Sequence, residues 1–461
     1  MPKYLIHTFG CQMNYSDTER METYLEALGY KKAASQSGAD LILFNTCSIR
    51  QKAEDKALGH MRAVSALRRA RPKLIIVMTG CMVRKSSSRY SPERDKLFSR
   101  VREIDIALKT DELPALASLI REINPKIKIP KIKEENIEDY FRISPAYNTL
   151  KSGTQAFIAI SNGCDKFCTY CIVPYARGRE KSRNPKDIFE EAKGLVEKGY
   201  KEITLIGQTV NSYGKSDYDK KNKTFANPKS KDPFVVLLKK LDSLHKKGLE
   251  RVRFMSPHPS SMTDELIDAM GTLKTQMPYL HLPVQSGDNA VLKRMNRSYT
   301  VAQYKALIRR LRTRIPDISI TTDIIVGFCG ETEKEFKNTY DFFKEMQFEH
   351  AYIAQYSQRK GTVASRFMKD DIQRKIKTKR WNKLNDLLKR TAKKTLKRFI
   401  GKTVKVLVEE QSGRICLGRS EHFKTVQFVS NHSLHGKIVP VRVTGSKEWI
   451  LEGDLISVGS R

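Results

Sequence analysis

The stretch GCDKFCTYC, Gly163 to Cys171, sets Cys164, Cys168 and Cys171 in a C-x3-C-x2-C pattern. Metal sites built wholly of cysteine usually take four thiolates, so the pattern leaves one place open. One short loop can wrap three corners of a cubane cluster, and Gly163 permits the tight turn this needs. A zinc knuckle would need a fourth ligand. No further cysteine or suitably spaced histidine follows, and His258 and His281 lie far off in sequence. Each reads equally as a pocket-lining or a core histidine.

The loop's place in the chain decides the fold. It follows the strand AFIAIS, the first of about six strands alternating with helical patterns. The others are EITLIG (202–207), RVRFMS (251–256), YLHLPVQ (279–285), ITTDIIVG (320–327) and AYIAQYS (351–357). Six βα units predict a partial TIM-like barrel, open on one side, with its chemistry on the C-terminal rim. A Lys/Asn/Asp insert over 214–233 reads as a solvated loop whose charge could add phosphate contacts.

Upstream, KYLIHTFG, LILFNT, KLIIVMTG and IDIALKT alternate with helical segments, which predicts a doubly wound parallel sheet. Cys11 follows the first of these strands, Cys47 the second and Cys81 the third. Carboxyl ends of parallel strands line one crevice, so the three thiols are expected to converge. Any one alone reads as a small buried hydrophobe. Three at equivalent positions read as a ligand set.

Downstream, apolar or small residues at Ile372, Ile376, Leu384, Leu388, Ala392 and Leu396 mark a long amphipathic helix with a basic outer face. Short strands after Gly401 (KTVKVLVEE, RICLGRS, KTVQFVS, GKIVPVRVTG and DLISVG) predict a small β-barrel.

Composition bounds the partners. The 461 residues carry 85 Lys and Arg against 51 acids, a formal charge of +34, which favours a polyanion such as nucleic acid. The longest apolar runs are far shorter than the roughly 20 residues of a bilayer span. MPKYLIHTFG has no signal-peptide pattern, so a cytoplasmic protein with reduced thiols is expected. Its eight cysteines then read as ligands or core residues rather than disulfides.

With its C-x3-C-x2-C loop at the mouth of a partial barrel, the sequence resembles the radical S-adenosylmethionine (SAM) enzymes. GCQMN (10–14), NTCSIRQKAEDK (45–56), VPYARGREKSR (173–183), LPVQSGDNAVLKRMNR (282–297) and DIIVGF (323–328) narrow the resemblance to the methylthiotransferases of that family. It implies two [4Fe-4S] clusters, on Cys164, Cys168 and Cys171 and on Cys11, Cys47 and Cys81, each with one open iron. The first would bind SAM and the second would carry the sulfur atom to be inserted. The C-terminal barrel resembles a TRAM domain, an RNA-binding module.

Family members acting on threonylcarbamoyl-adenosine of tRNA, or on a ribosomal-protein aspartate, carry other residues after the first cysteine. Gln12-Met13-Asn14 and Ser48-Ile49-Arg50 point to the branch that methylthiolates C2 of isopentenyl-adenosine in a tRNA anticodon loop. The resemblance further implies SAM contacts from Gly207, Gln208, Gln285, Ser286 and Gly327. Arg177 and Arg179 read either as carboxylate or phosphate partners or as an ordinary basic loop. An electron donor protein, a sulfur donor and a monomeric state are expected. The implied layout is an N-terminal domain (1–123), a linker (124–149), a radical SAM domain (150–385) and a helix end with TRAM domain (386–461). Cys329 stands where the family usually has proline, and Ser298 where it has glycine. Gln358 and Lys360 replace two further prolines. Cys329 and Cys416 read as core thiols.

Overall fold

The computed structural model describes residues 1–48, 51–126, 140–143, 145, 153–221, 225 and 230–456. Most of the expected linker, and Ile49 and Arg50, lie outside these. The chain divides into two compact units. The first is Met1–Lys151 with Asn162–Asp165 and Cys171–Glu180; the second is the remainder to Arg461.

The first unit is built on a six-stranded sheet of order β2-β1-β3-β4-β6-β5. Its strands are β1 (Lys3–Thr8), β2 (Lys31–Lys32), β3 (Leu41–Thr46), β4 (Ile75–Gly80), β5 (Ser87–Ser88) and β6 (Ile106–Leu108). Every pair is parallel except β5 with β6. Helices α1 (Gln12–Ala27) and α2 (Gln51–Ser65) cross between strands, and α3 (Leu116–Ile123) follows β6. β3 is buried along its whole length. Leu41 and Leu43 join one apolar cluster with Met21 and Leu25, while Ile42 and Phe44 join another with Ala57 and Met61. Two-faced burial is why this strand reads as a continuous apolar run rather than an alternating one.

In the second unit, β7 (Gln155–Ala159), β10 (Glu202–Ile206) and β11 (Arg251–Phe254) form one parallel three-stranded sheet. β12 (Tyr279–His281), β13 (Ser319–Val326) and β14 (His350–Gln355) form another. In sequence, short strands β8 (Ser161–Asn162) and β9 (Lys181–Ser182) flank the cysteine loop and α4 (Val173–Arg177), the latter counted with the first unit. The intervals carry α5 (Pro185–Glu197), α6 (Asp217–Lys220), α7 (Pro233–Asp242), α8 (Asp264–Thr272), α9 (Asn289–Arg294), α10 (Val301–Arg314), α11 (Glu333–Met346) and α12 (Val363–Phe367). All six expected strands form, but β12 stops four residues early. Pro283 has no N–H for the ladder, Val284 donates to the Thr322 side chain, and Gln285 takes a positive φ of 71°.

Helix α13 (Arg374–Lys397) runs unbroken through the expected boundary at residue 385. A closed barrel follows, of order β15-β16-β17-β19-β18. Its strands are β15 (Thr403–Ser412), β16 (Ile415–Ser420), β17 (Thr425–Val429), β18 (Ile438–Ser446) and β19 (Ile450–Leu455). The last begins at Ile450, four residues ahead of the expected DLISVG, because Leu451 is the side chain that fills the barrel interior. Leu396 and Phe399 enter that same core and fix the helix end to the barrel.

Candidate functional site

The first cysteine set sits at the carboxyl ends of three neighbouring strands. Thr8 pairs with Asn45 and Thr46 with Gly80, so Cys11, Cys47 and Cys81 leave the sheet at matching levels. Gly10 (φ 133°) passes so close that a Cβ there would lie 2.7 Å from the Cβ of Cys47. Only glycine gives this backbone both the conformation and the room. Cys11 caps α1, and its Sγ lies 3.4 Å from Asn14 Oδ1. Asn14 Nδ2 donates to Asn45 Oδ1 at 2.9 Å and to the Thr46 carbonyl at 3.0 Å. Asn45 Nδ2 returns a bond of 2.7 Å to the Asn14 carbonyl. The motifs GCQMN and NTC are thus knitted to each other by their asparagines, a role that the sequence alone does not assign.

Arg177 is buried in the same unit. Its Nη2 donates to Asp17 Oδ2 at 2.5 Å and its Nη1 to Asn162 Oδ1 at 3.1 Å. The Tyr140 hydroxyl also bonds Asp17. Burial pushes the Cys11 thiol up, and the Arg177 charge opposes that shift. Arg177 also interacts electrostatically with Cys81. Of the carboxylate or phosphate partners open to Arg177, the structure shows the Asp17 carboxylate: the guanidinium fork is engaged by Asp17 and Asn162, beside the first cysteine set.

Around the second set, Gly163 (φ 83°) is again obligatory, since a Cβ would fall 2.2 Å from the Arg179 carbonyl. The Cys164 N–H donates to the Gly178 carbonyl at 3.1 Å. Cys168 accepts a hydrogen bond from Arg297 Nη1 at 3.4 Å. Asn296 Nδ2 donates to the carbonyls of Lys166 and Phe167, and the Thr169 N–H to that of Met295. The segment Met295–Arg297 therefore grips residues 166–169 of the loop. Its sequence carries part of the family resemblance, but its contact with the cysteine loop, 129 residues away, has no local signal.

The expected SAM residues divide. Gly207 follows β10, where a Cβ would lie 2.5 Å from Ser161 Oγ. Ser161 Oγ and Gln208 Oε1 are buried polar atoms without a hydrogen-bond partner among the described residues. Two orphaned acceptors beside a glycine, at the carboxyl ends of β7 and β10, suit a small polar ligand such as the amino-acid end of SAM. Gln285 is buried, with its peptide bonded to Asp323 and Ile325. Ser286, by contrast, shares its hydroxyl with Thr339 Oγ1 at 3.1 Å. At Gly327 the space a Cβ would take is occupied by the Lys377 stem, 2.4 Å away. These two positions serve the packing of α11 and α13 rather than an open surface.

Among the described residues, no three Cys, His, Asp or Glu side chains close to the spacing of a single metal ion. Thiolates around one tetrahedral ion stand about 3.8 Å apart, whereas the corners of a cubane hold them wider. The donor chemistry of both sets, soft thiolates with cationic or N–H neighbours, suits an iron–sulfur group. Cys329 packs with Val291, Met295 and Tyr356, and Cys416 lies in the barrel core, so both are core thiols.

Residues 158–343 match the Radical SAM superfamily, residues 397–456 the TRAM domain and residues 3–105 the uncharacterized protein family UPF0004. The chain is 41% identical over 459 residues to the tRNA-2-methylthio-N(6)-dimethylallyladenosine synthase of Thermoanaerobacter sp. (strain X514), covering 99% of this chain and 93% of that one. The synthase of the same name from Clostridium novyi (strain NT) is 38% identical over 461 residues, covering 98% and 96%. Among solved structures, the radical S-adenosylmethionine methyltransferase TsrM from Kitasatospora setae aligns with a TM-score of 0.54 at 14% identity, over 77% of this chain and 73% of that one. That likeness is one of fold alone. The chain belongs to the radical S-adenosylmethionine methylthiotransferases, in the family of the tRNA-2-methylthio-N(6)-dimethylallyladenosine synthases.

Proposed function

We propose that this chain replaces the C2–H of N6-isopentenyladenosine at position 37 of tRNA with S–CH3. Cys164, Cys168 and Cys171 would hold one [4Fe-4S] cluster, and Cys11, Cys47 and Cys81 the other. A C2–H of adenine is too weakly acidic for a side-chain base, so general acid–base catalysis does not reach it. When bound, SAM and the clusters supply the one-electron chemistry and the sulfur that such a carbon needs.

The chain's own residues hold and orient. Arg297 fixes the Cys168 sulfur and Asn296 the peptide carbonyls beside it. Ser161 and Gln208 offer acceptors to the ammonium of the SAM methionine. Asn14 and Asn45 lock the turns that carry Cys11 and Cys47. The basic surface and the TRAM domain engage the anticodon arm through its phosphates. Among the described residues no helix is long and apolar enough to cross a membrane. The chain would act in the cytoplasm as a monomer, with an electron donor protein and a sulfur donor as partners.

What carries this reading is 41% identity along 99% of the chain to a curated synthase of that reaction. Mass spectrometry of tRNA nucleosides tests it, in cells lacking and then regaining the protein. The methylthio group should vanish while its isopentenyl precursor accumulates, and both should recover on complementation. An unchanged nucleoside profile would overturn it.

A further inference from the structure

Helix α13 turns Leu384, Leu387, Leu388, Thr391, Ala392 and Leu396 inward. Opposite them, Lys389, Arg390, Lys393, Lys394 and Lys397 are all exposed. The stacking is unusual in its sign. Lys389, Lys393 and Lys397 follow one another at i, i+4, as do Arg390 and Lys394. Like charges at that spacing repel and weaken a helix. Cations in the last turn are favoured by the helix dipole, but that effect fades within one turn and does not reach Lys389 or Arg390.

The neighbouring helices of the same unit carry no such uninterrupted row. On α10 and α11, four cations are matched to acids: Arg310 with Asp264, Arg314 with Asp268, Lys305 with Glu345 and Lys337 with Asp341. Among the described residues the exposed Arg309, Lys334 and Lys344 enter no ion pair, and they stand singly rather than in a row. Among the described residues, Lys389, Lys393, Lys394 and Lys397 enter no ion pair, and Arg390 meets only the Tyr340 hydroxyl, at 3.4 Å. The only acid in α13 is Asp386, one turn upstream. Leu396 and Phe399 seat the helix end in the barrel core, so the row is held in place relative to that barrel.

We propose that this row on α13 is a phosphate-contact surface for the tRNA substrate, additional to the TRAM barrel. The proposal rests on tRNA being the substrate. A strand of phosphates supplies the negative charges whose absence leaves the row repelling itself, and contact with it releases counterions from the RNA.

The test is tRNA binding by the purified full chain across a potassium chloride series. The first variant replaces all five residues with glutamine, a good helix former that removes only charge. Its plot of log affinity against log salt should be shallower by about 0.7–0.9 for each phosphate no longer neutralised, about 2 or more in all. Affinity at low salt should fall at least tenfold. A control neutralising Lys305, Arg310 and Arg314 should leave slope and affinity as in the wild type. If the fivefold variant fails to fold, Lys389→Gln, Lys393→Gln and Lys394→Gln are measured singly, and at least two should each flatten the slope by about 0.7–0.9.

An unchanged slope in a folded fivefold variant, or in all three single ones, overturns the proposal. So does an equal loss in the α10 control. A row whose removal weakens binding to vesicles of anionic lipid, but not to tRNA, overturns it too. Wild-type protein that binds no tRNA at any salt would instead defeat the reading of the substrate.

Discussion

Arg297 reaches Cys168 with one arm of its guanidinium, Nη1 to Sγ at 3.4 Å, while Nη2 and Nε are held by the Pro283 carbonyl and the Tyr299 hydroxyl. Tyr299 in turn donates to the Val284 carbonyl at 2.8 Å. The arginine is thus aimed at the sulfur by groups that are themselves fixed. None of its acceptors is a carboxylate, so its charge acts undiluted on the thiolate.

Partners of this kind around metal-ligating groups commonly change metal affinity by about 10–100-fold when removed. Arg297→Gln should therefore lower the iron content of anaerobically reconstituted protein from two clusters toward one. Any remaining second-set cluster should be harder to reduce, because a nearby cation stabilises added negative charge. Arg297→Lys, which keeps the charge, should retain most of the iron. Iron analysis with redox-titrated EPR reads both effects. Equal iron and equal potentials in wild type and Arg297→Gln would refute the role.

Asp17 and Arg177 form the most enclosed ion pair near the first set, with side chains 0% and 3% exposed. Removing one partner of a buried pair strands the other, at a cost of about 3–5 kcal/mol. Asp17→Asn should therefore destabilise the first unit far more than the Asp17→Asn, Arg177→Met double variant does. Hydrogen exchange of the β1, β3 and β4 amides is the right measurement, since both tryptophans, Trp381 and Trp449, lie in the second unit. A double variant no more stable than the single one would dispose of the charge argument.

The same pair marks the limit of reading function from sequence. β3 and β4 were legible because central parallel strands are apolar throughout, and the cysteines because each comes within three residues of the end of its strand. Six barrel strands were legible by alternation with helices. What escaped were side-chain alliances across long separations. Asp17 lies 160 residues from Arg177, and Thr339 lies 53 from Ser286. Nothing local to Arg177 says that its fork is already spent, and nothing local to Ser286 says that its hydroxyl is shared. The end of β12 is a different case. Pro283 was visible, and its missing N–H was reason enough to stop the strand at His281.

Glu331 links the end of β13 to α13. Its Oε2 accepts from the Gly327 N–H at 2.6 Å and from Arg380 Nη1 at 2.8 Å. Burial pushes its carboxyl up to about 7, against the pull of the Gly327 N–H and Arg380. The folded state thus holds this proton more tightly than the unfolded chain, where a glutamate titrates near 4.3. The stabilisation is complete below the unfolded value and is lost as pH rises through about 7. Glu331→Gln, always neutral, should lack this component. Its Tm relative to wild type should rise by about 2–4 °C or more between pH 5 and pH 8. Parallel Tm curves across that range would show that Glu331 does not titrate there.

Gln208 and Ser286 are both implied by resemblance to line one ligand, and their surroundings set them apart. Gln208 ends in a buried acceptor without a partner among the described residues, while the Ser286 hydroxyl bridges to Thr339 and accepts from the Asp288 N–H. A hydrogen bond to a charged ligand group is worth about 1.5–3 kcal/mol. Gln208→Ala should thus weaken SAM binding by roughly 10-fold or more, at nearly unchanged stability and iron content. Ser286→Ala should do the reverse, losing about 1 kcal/mol of stability with SAM affinity nearly intact. Calorimetric titration of SAM into reconstituted protein, beside thermal unfolding of each variant, separates the two. If Ser286→Ala costs SAM affinity and Gln208→Ala does not, the ligand lies against β12 rather than at the carboxyl end of β10.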